Sequence, residues 1–182
     1  SVLVPFLIER FGKSHEEEQR FINSIFSVFA FIMIGVSLVV AIFTPNILRY
    51  LYPTMQSQGE LVVLTRILLL QPILLGISNF LGSITQAHQR FVSYAMSPVV
   101  YNLGIIIGVV GLYPFFGLKG IAFGVLIGAL FHLSLQLPFI FERKLTPRIT
   151  FSIDWISIRR VLLLSLPRTF TLAFSSIALV AL

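Results

Sequence analysis

The sequence predicts an all-α, polytopic membrane protein, a bundle of membrane-crossing helices. Three observations carry that prediction. Charged residues make up only 11% of the 182-residue chain, against about 25% in a soluble domain. Hydrophobic residues make up 57%, and the mean hydropathy is +0.96. The charges are also excluded from four runs, Phe21–Leu48, Ile67–Gln89, Phe91–Leu118 and Gly120–Phe141. Each run exceeds the roughly 20 apolar residues needed to cross about 30 Å of hydrocarbon at about 1.5 Å per residue. Four complete spans are available, and a water-soluble globule is excluded.

The elements follow in order. Residues 1–8 read as the tail of an arriving helix. In the loop 9–20, Ser14 is placed to cap a helix from His15, with Glu17 as its capping-box partner. Glu16, Glu17 and Glu18 suit the positive end of that helix. The first full span covers about 21–43 and leaves through TPNILRYLYP, where Tyr50 and Tyr52 read as interfacial residues. The second covers about 61–87. Its return turn, His88-Gln89-Arg90, is short enough to make the second and third spans antiparallel neighbours. The third covers about 92–113, and PFFGLKG joins it to the fourth, about 120–141. A segment at 142–160 follows, with Trp155 near the interface and Ser152 or Asp154 placed to cap a helix. Arg159 and Arg160 there read as interfacial anchors or as a lipid-headgroup site. A last span occupies about 161–182. The chain opens without Met and stops inside an apolar run, so the expectation is an internal piece of a larger protein. With no Cys, the chain forms no disulfide.

The formal net charge of +6 invites nucleic acid as a partner, but its placement argues against that. The cations sit at the ends of apolar runs, not in one patch interleaved with aromatics. Counted on alternating sides, Arg10, Lys13, Arg20, Arg90, Arg143, Lys144, Arg148, Arg159 and Arg160 share one face. Arg49 and Lys119 lie opposite, with Arg66 just inside a helix start. The positive-inside rule makes the richer face cytoplasmic, so loops 9–20, 88–90 and 142–160 are expected there.

Within the spans, Pro72 and Pro98 should each free a carbonyl and bend a helix. Pro114, Pro138 and Pro167 border or interrupt the others. Gly104, Gly108 and Gly111 fall near one face of the third span. Gly120, Gly124 and Gly128 repeat every fourth residue of the fourth, the spacing that lets helix backbones approach. Such a stripe serves static packing or a sliding interface. Asn79, Gln86, Tyr101, Asn102, His132 and Gln136 need hydrogen-bond partners. His132 and Gln136 share a face and are expected to pair with Tyr101 or Asn102. Arg66 is positioned to reach the outer interface or a cavity. Arg168, just after Pro167, either contacts an anionic substrate or anchors the helix at its cytoplasmic end. No nucleophile set, phosphate loop, metal motif or cofactor motif is present, and no carboxylate lies within a complete span. No catalysis is expected from this stretch.

Three strings, GSITQAHQRFVSYAMSPVVYNLGIIIG, GLKGIAFGVLIGALFHLSLQLPF and RRVLLLSLPRTFTLAFSSI, resemble the MurJ/MviN family of bacterial lipid II flippases. That family belongs to the multidrug/oligosaccharidyl-lipid/polysaccharide exporter superfamily, and the resemblance covers essentially the whole chain. It implies two pseudo-symmetric six-helix lobes around a basic cavity, a MATE-like arrangement. It also implies transport of undecaprenyl-linked peptidoglycan precursor across the cell membrane by alternating access. This chain would supply part of the N-lobe, from the end of the second family helix to the start of the seventh. Pro5, Arg90, Phe91, Pro98, Asn102, Gln136, Pro138 and Pro167 match family positions; SYAMSP departs from the common PAFAP-like string. The implied partners are the lipid-linked anionic glycan, membrane lipids and the remaining helices of the same transporter. The coupling ion is left open. An exporter of another lipid-linked polysaccharide or of drugs would share the helix arrangement. A non-transporting scaffold for envelope synthesis would instead predict a cavity without basic residues.

Overall fold

The computed structural model describes residues 3–10, 14–53 and 57–163, which form helices and connecting segments with no strand among them. In chain order they are α1 (Leu3–Arg10), α2 (His15–Leu51), α3 (Gln58–Leu68), α4 (Leu70–Ala87) and α5 (Phe91–Ile107). A π-helical turn (Gly108–Leu112) leads into α6 (Tyr113–Phe116), then α7 (Leu118–Ser134) and α8 (Leu137–Glu142). Residues 155–163 are again helical. Four stretches are long and apolar enough to cross a membrane: His15–Leu51, Gln58–Ala87, Phe91–Phe116 and Leu118–Glu142. These are the four expected spans; each begins before its expected start, and all but the second also run past their expected end. The last expected span falls almost wholly outside the described residues.

The differences at the helix ends have local causes. α2 has 37 residues, about 55 Å at 1.5 Å per residue. It starts where expected, with the Glu17 amide donating to Ser14 Oγ at 3.2 Å. It does not stop near Phe43 but continues through Pro45 to Leu51. Pro45 cannot donate to the carbonyl of Ala41 four residues back. Arg66 Nε from α3 donates to that carbonyl instead, at 3.1 Å. The expected seven-residue turn before the fourth span shrinks to Gly117 alone. Its φ of 57° and ψ of −140° are a conformation open essentially only to glycine.

Proline shapes the other spans in different ways. Leu69 separates α3 from α4, three residues before Pro72. α5 runs without interruption through Pro98. Pro114 follows the π turn, in which the Tyr113 amide reaches back to the Gly108 carbonyl. The wider turn accommodates a proline that cannot donate. Pro138 sits in the first turn of α8, where a missing amide costs least, and the chain breaks from α7 at Leu135 and Gln136.

Two helix ends close on left-handed residues that are not glycine. Gln89 has φ 62° and Lys144 φ 56°. In the first, the Arg90 amide donates to the Thr85 carbonyl at 3.1 Å and the Gln89 amide to the Gln86 carbonyl at 2.9 Å. In the second, the Leu145 and Lys144 amides donate to the Ile140 and Phe141 carbonyls, both at 3.1 Å. Both are Schellman closures, and Leu145 is buried beneath the second.

The chain divides into two compact units, residues 1–27 with 146–182, and residues 28–145. In the larger unit α7 is the central element, packing on α5, α4 and α3. The Leu118–Glu142 stretch that α7 begins is the most buried of the four, 39% of its most apolar part against 6–17% for the other three. α2 approaches α4 through large side chains: the Phe29 ring stacks on Phe80 with centroids 6.2 Å apart, over the space left by Gly76.

In the smaller unit a polar stripe on the first turns of α2 holds the segment 146–154 by its backbone. Gln19 Nε2 donates to the Thr146 carbonyl at 2.9 Å. Asn23 Oδ1 accepts the Arg148 amide at 2.8 Å, and Ser27 Oγ accepts the Thr150 amide at 2.8 Å. The repeats nearly match, since four helical residues rise about 6 Å and two extended residues about 6.6 Å. After a bend at Phe151, Ser24 Oγ accepts the Asp154 amide at 3.3 Å. Of the two expected caps for the next helix, Asp154 is the one used: its Oδ1 accepts the Ser157 amide at 3.2 Å.

Candidate functional site

The closest approach in the larger unit is the seam between α5 and α7. A Cβ built on Gly104 would collide with the backbone of Gly128, and one on Gly108 or Gly124 with the backbone of the other. A Cβ on Gly128 would strike the Tyr101 carbonyl, and one on Gly120 would come within 2.5 Å of the Leu112 carbonyl. The five glycines therefore interlock two antiparallel helices at backbone contact. Gly111, expected on the same face, is outside the seam, and nothing lies within 4 Å of its would-be Cβ. The π turn explains the difference. Its wider winding turns the chain less per residue, so Leu112 and not Gly111 comes round to face Gly120.

Polar side chains stitch the helices beside this seam. Ser78 Oγ on α4 and His132 Nδ1 on α7 share a hydrogen bond of 2.6 Å. Gln136 Nε2 donates to Ser97 Oγ on α5 at 2.7 Å. Ser78, Ser97 and Gln136 are fully buried and His132 nearly so. The expected pairing with Tyr101 or Asn102 is not what forms. Tyr101 is occupied by Gln71, whose Nε2 donates to its hydroxyl at 2.7 Å, and Asn102 is exposed. The fully buried Ser78 and Ser97 supply the partners instead. Gln136 Oε1 is buried without a hydrogen-bond partner. Buried serines inside apolar runs were the available signal for this stitching. Which of them faced His132 or Gln136 depended on helix rotation.

The remaining candidates divide simply. Arg66 braces the carbonyl that Pro45 frees, a use that reading Arg66 by itself does not suggest. Pro72 and Pro138 flank helix breaks, and Pro98 does not. Arg168 and Pro167 lie outside the described residues. A groove of about 550 Å³ runs along the C-terminal half of α2, lined by Val39, Val40, Phe43, Asn46, Ile47, Tyr50 and Leu51. With no cation in its lining it offers nothing to a phosphate, and it is suited to apolar matter.

Among the described residues the arrangement packs and positions helices. Comparison with known proteins supplies the family. Residues 1–181 match the family model described as lipid II flippase MurJ. A protein of Buchnera aphidicola subsp. Acyrthosiphon pisum (strain APS), described as a probable lipid II flippase MurJ, is 26% identical over 166 residues. That match covers 87% of this chain and 32% of the relative, so the chain spans about a third of the relative's length. Members of the matched family are transporters rather than enzymes. With four apolar helices of spanning length and a family match over nearly every residue, this multi-pass membrane chain belongs to the MurJ lipid II flippase family.

Proposed function

We propose that the intact protein moves lipid II, the undecaprenyl-linked peptidoglycan precursor, across the bacterial cytoplasmic membrane by alternating access. The observation that carries this reading is the family match over residues 1–181. In it, the chain forms most of the N-lobe of a two-lobed, MATE-like transporter. α2 to α8 act as supporting helices, and the helix after residue 160 begins the wall of a central cavity. Loops 9–20, 88–90 and 142–160 face the cytoplasm. The lipid pyrophosphate is clamped by basic side chains, and the polyprenyl tail stays in or near lipid while the lobes rock. No bond of the substrate breaks. The interlocked glycines support this assignment of α5 and α7 to a rigid frame, because helices at backbone contact move as one body.

Arg168 is the residue of this chain assigned to the cavity. An arginine within a span costs about 2.5–3.5 kcal/mol on insertion scales, so it is expected to face water or an anion. Complementation of flippase-depleted cells by the full-length gene, and by its Arg168→Ala variant, tests both levels. The full-length gene is expected to restore growth. The variant is expected to fail at normal membrane abundance. Failure of the unsubstituted gene would overturn the transport reading, and full complementation by the variant would return Arg168 to an anchoring role.

A further inference from the structure

The segment after α8 holds apolar side chains out of the protein while its backbone is tied down. Ile149 is 60% exposed, Phe151 87%, Trp155 66% and Ile156 77%. Residues that apolar would normally roll inward. Here they cannot, because the amides of Arg148, Thr150 and Asp154 and the carbonyl of Thr146 are fixed to Asn23, Ser27, Ser24 and Gln19. These bonds fix the backbone of the segment, and the four apolar side chains stay largely exposed.

We propose that residues 149–160 form a membrane-surface site that seats its apolar side chains among lipid headgroups and binds anionic phospholipid. Three observations favour lipid over a protein partner. A membrane-spanning stretch ends at Glu142, so the covalent chain cannot carry Ile149 more than about 25 Å from that end. Trp155 opens the helical residues 155–163, and tryptophan is the side chain suited to the headgroup boundary. On that helix Ser157, Ile158 and Val161 are buried, whereas Arg159 and Arg160 share the exposed side with Trp155 and Ile156. A flush of apolar and basic groups on one side complements an anionic, amphipathic surface. The inference rests on the spanning helices and not on the transport reading, so either can fail without the other.

The chain has no cysteine, which allows nitroxide labels at single sites. The full-length protein, freed of any further cysteine, would carry the label at Phe151→Cys or Ile156→Cys, with Glu16→Cys as a water-exposed control. It would be placed in nanodiscs of phosphatidylcholine alone or with phosphatidylglycerol. The label at 151 or 156 is expected to be reached by oxygen and shielded from a water-soluble nickel chelate, and the control the reverse. Phosphatidylglycerol is expected to deepen the first two labels. A variant carrying Arg159→Gln and Arg160→Gln is expected to lose that deepening, each arginine being worth about fivefold in binding to an anionic surface. Labels reached by the nickel chelate would overturn the proposal. So would labels shielded from both reagents, the mark of a covering protein segment, and so would depths indifferent to phosphatidylglycerol.

Discussion

At Pro45 the chain gives up one hydrogen bond inside α2, and Arg66 restores it from α3. The guanidinium is exposed, so the bond is worth about 1 kcal/mol rather than the larger value of a buried charged contact. Arg66→Ala should lower stability by about that amount. In a Pro45→Ala background, where Ala41 regains its helical donor, the same substitution should cost close to nothing. Thermal melts of the four proteins of this cycle would check it, and equal losses in both backgrounds would show that the brace does not matter. Gln89 offers the opposite sign. An L-residue at φ 62° is strained by about 1–2 kcal/mol, whereas glycine brings an entropic cost of about 0.5–1 kcal/mol. Gln89→Gly should therefore raise the melting midpoint slightly, and a fall would show that the Gln89 side chain contributes more than its strain costs.

Between α5 and α7 the glycines leave no room for a methyl group on either side. Gly104→Ala and Gly124→Ala should each destabilise by about 1–3 kcal/mol through overpacking. Gly111→Ala should be neutral or stabilising, because alanine is the better helix former and its Cβ meets nothing. Equal tolerance at all three positions in denaturation curves would dissolve the seam. The spans themselves were legible in the sequence, because charge exclusion over a bilayer's thickness is a one-dimensional signal. So were five of the six glycines, since spacing four is a property of any α-helix. The sixth was not, because a π turn changes the winding and only Pro114 hinted at one. Helix ends were less legible still: α2 continues past Pro45, and the donor that replaces the proline's missing amide comes from Arg66 on another element. The latch on residues 146–154 was hidden for a different reason. Gln19 falls in the expected loop 9–20 and Asn23, Ser24 and Ser27 in the expected first span, and nothing in their spacing names the backbone they hold.

For the molecule as a whole, the placement of basic residues predicts a topology that accessibility can check. Single cysteines at Gln58 and His88 fall on opposite sides in the proposed orientation. In intact cells an impermeant maleimide should label Gln58→Cys, and should label His88→Cys only after permeabilisation. The reverse pattern would invert the chain. The proposed cavity rests on the family resemblance, and Arg168, the residue of this chain proposed for it, lies outside the described residues. One feature of the frame bears on how such chains diverge. The π turn at Gly108–Leu112 holds one residue more than an α-helix needs over the same rise. Loss of a single residue there would return the helix to ordinary winding while Gly104 and Gly108 kept their partners. A one-residue deletion would thus be absorbed more easily at this point of the span than elsewhere, where it would rotate half a helix out of register.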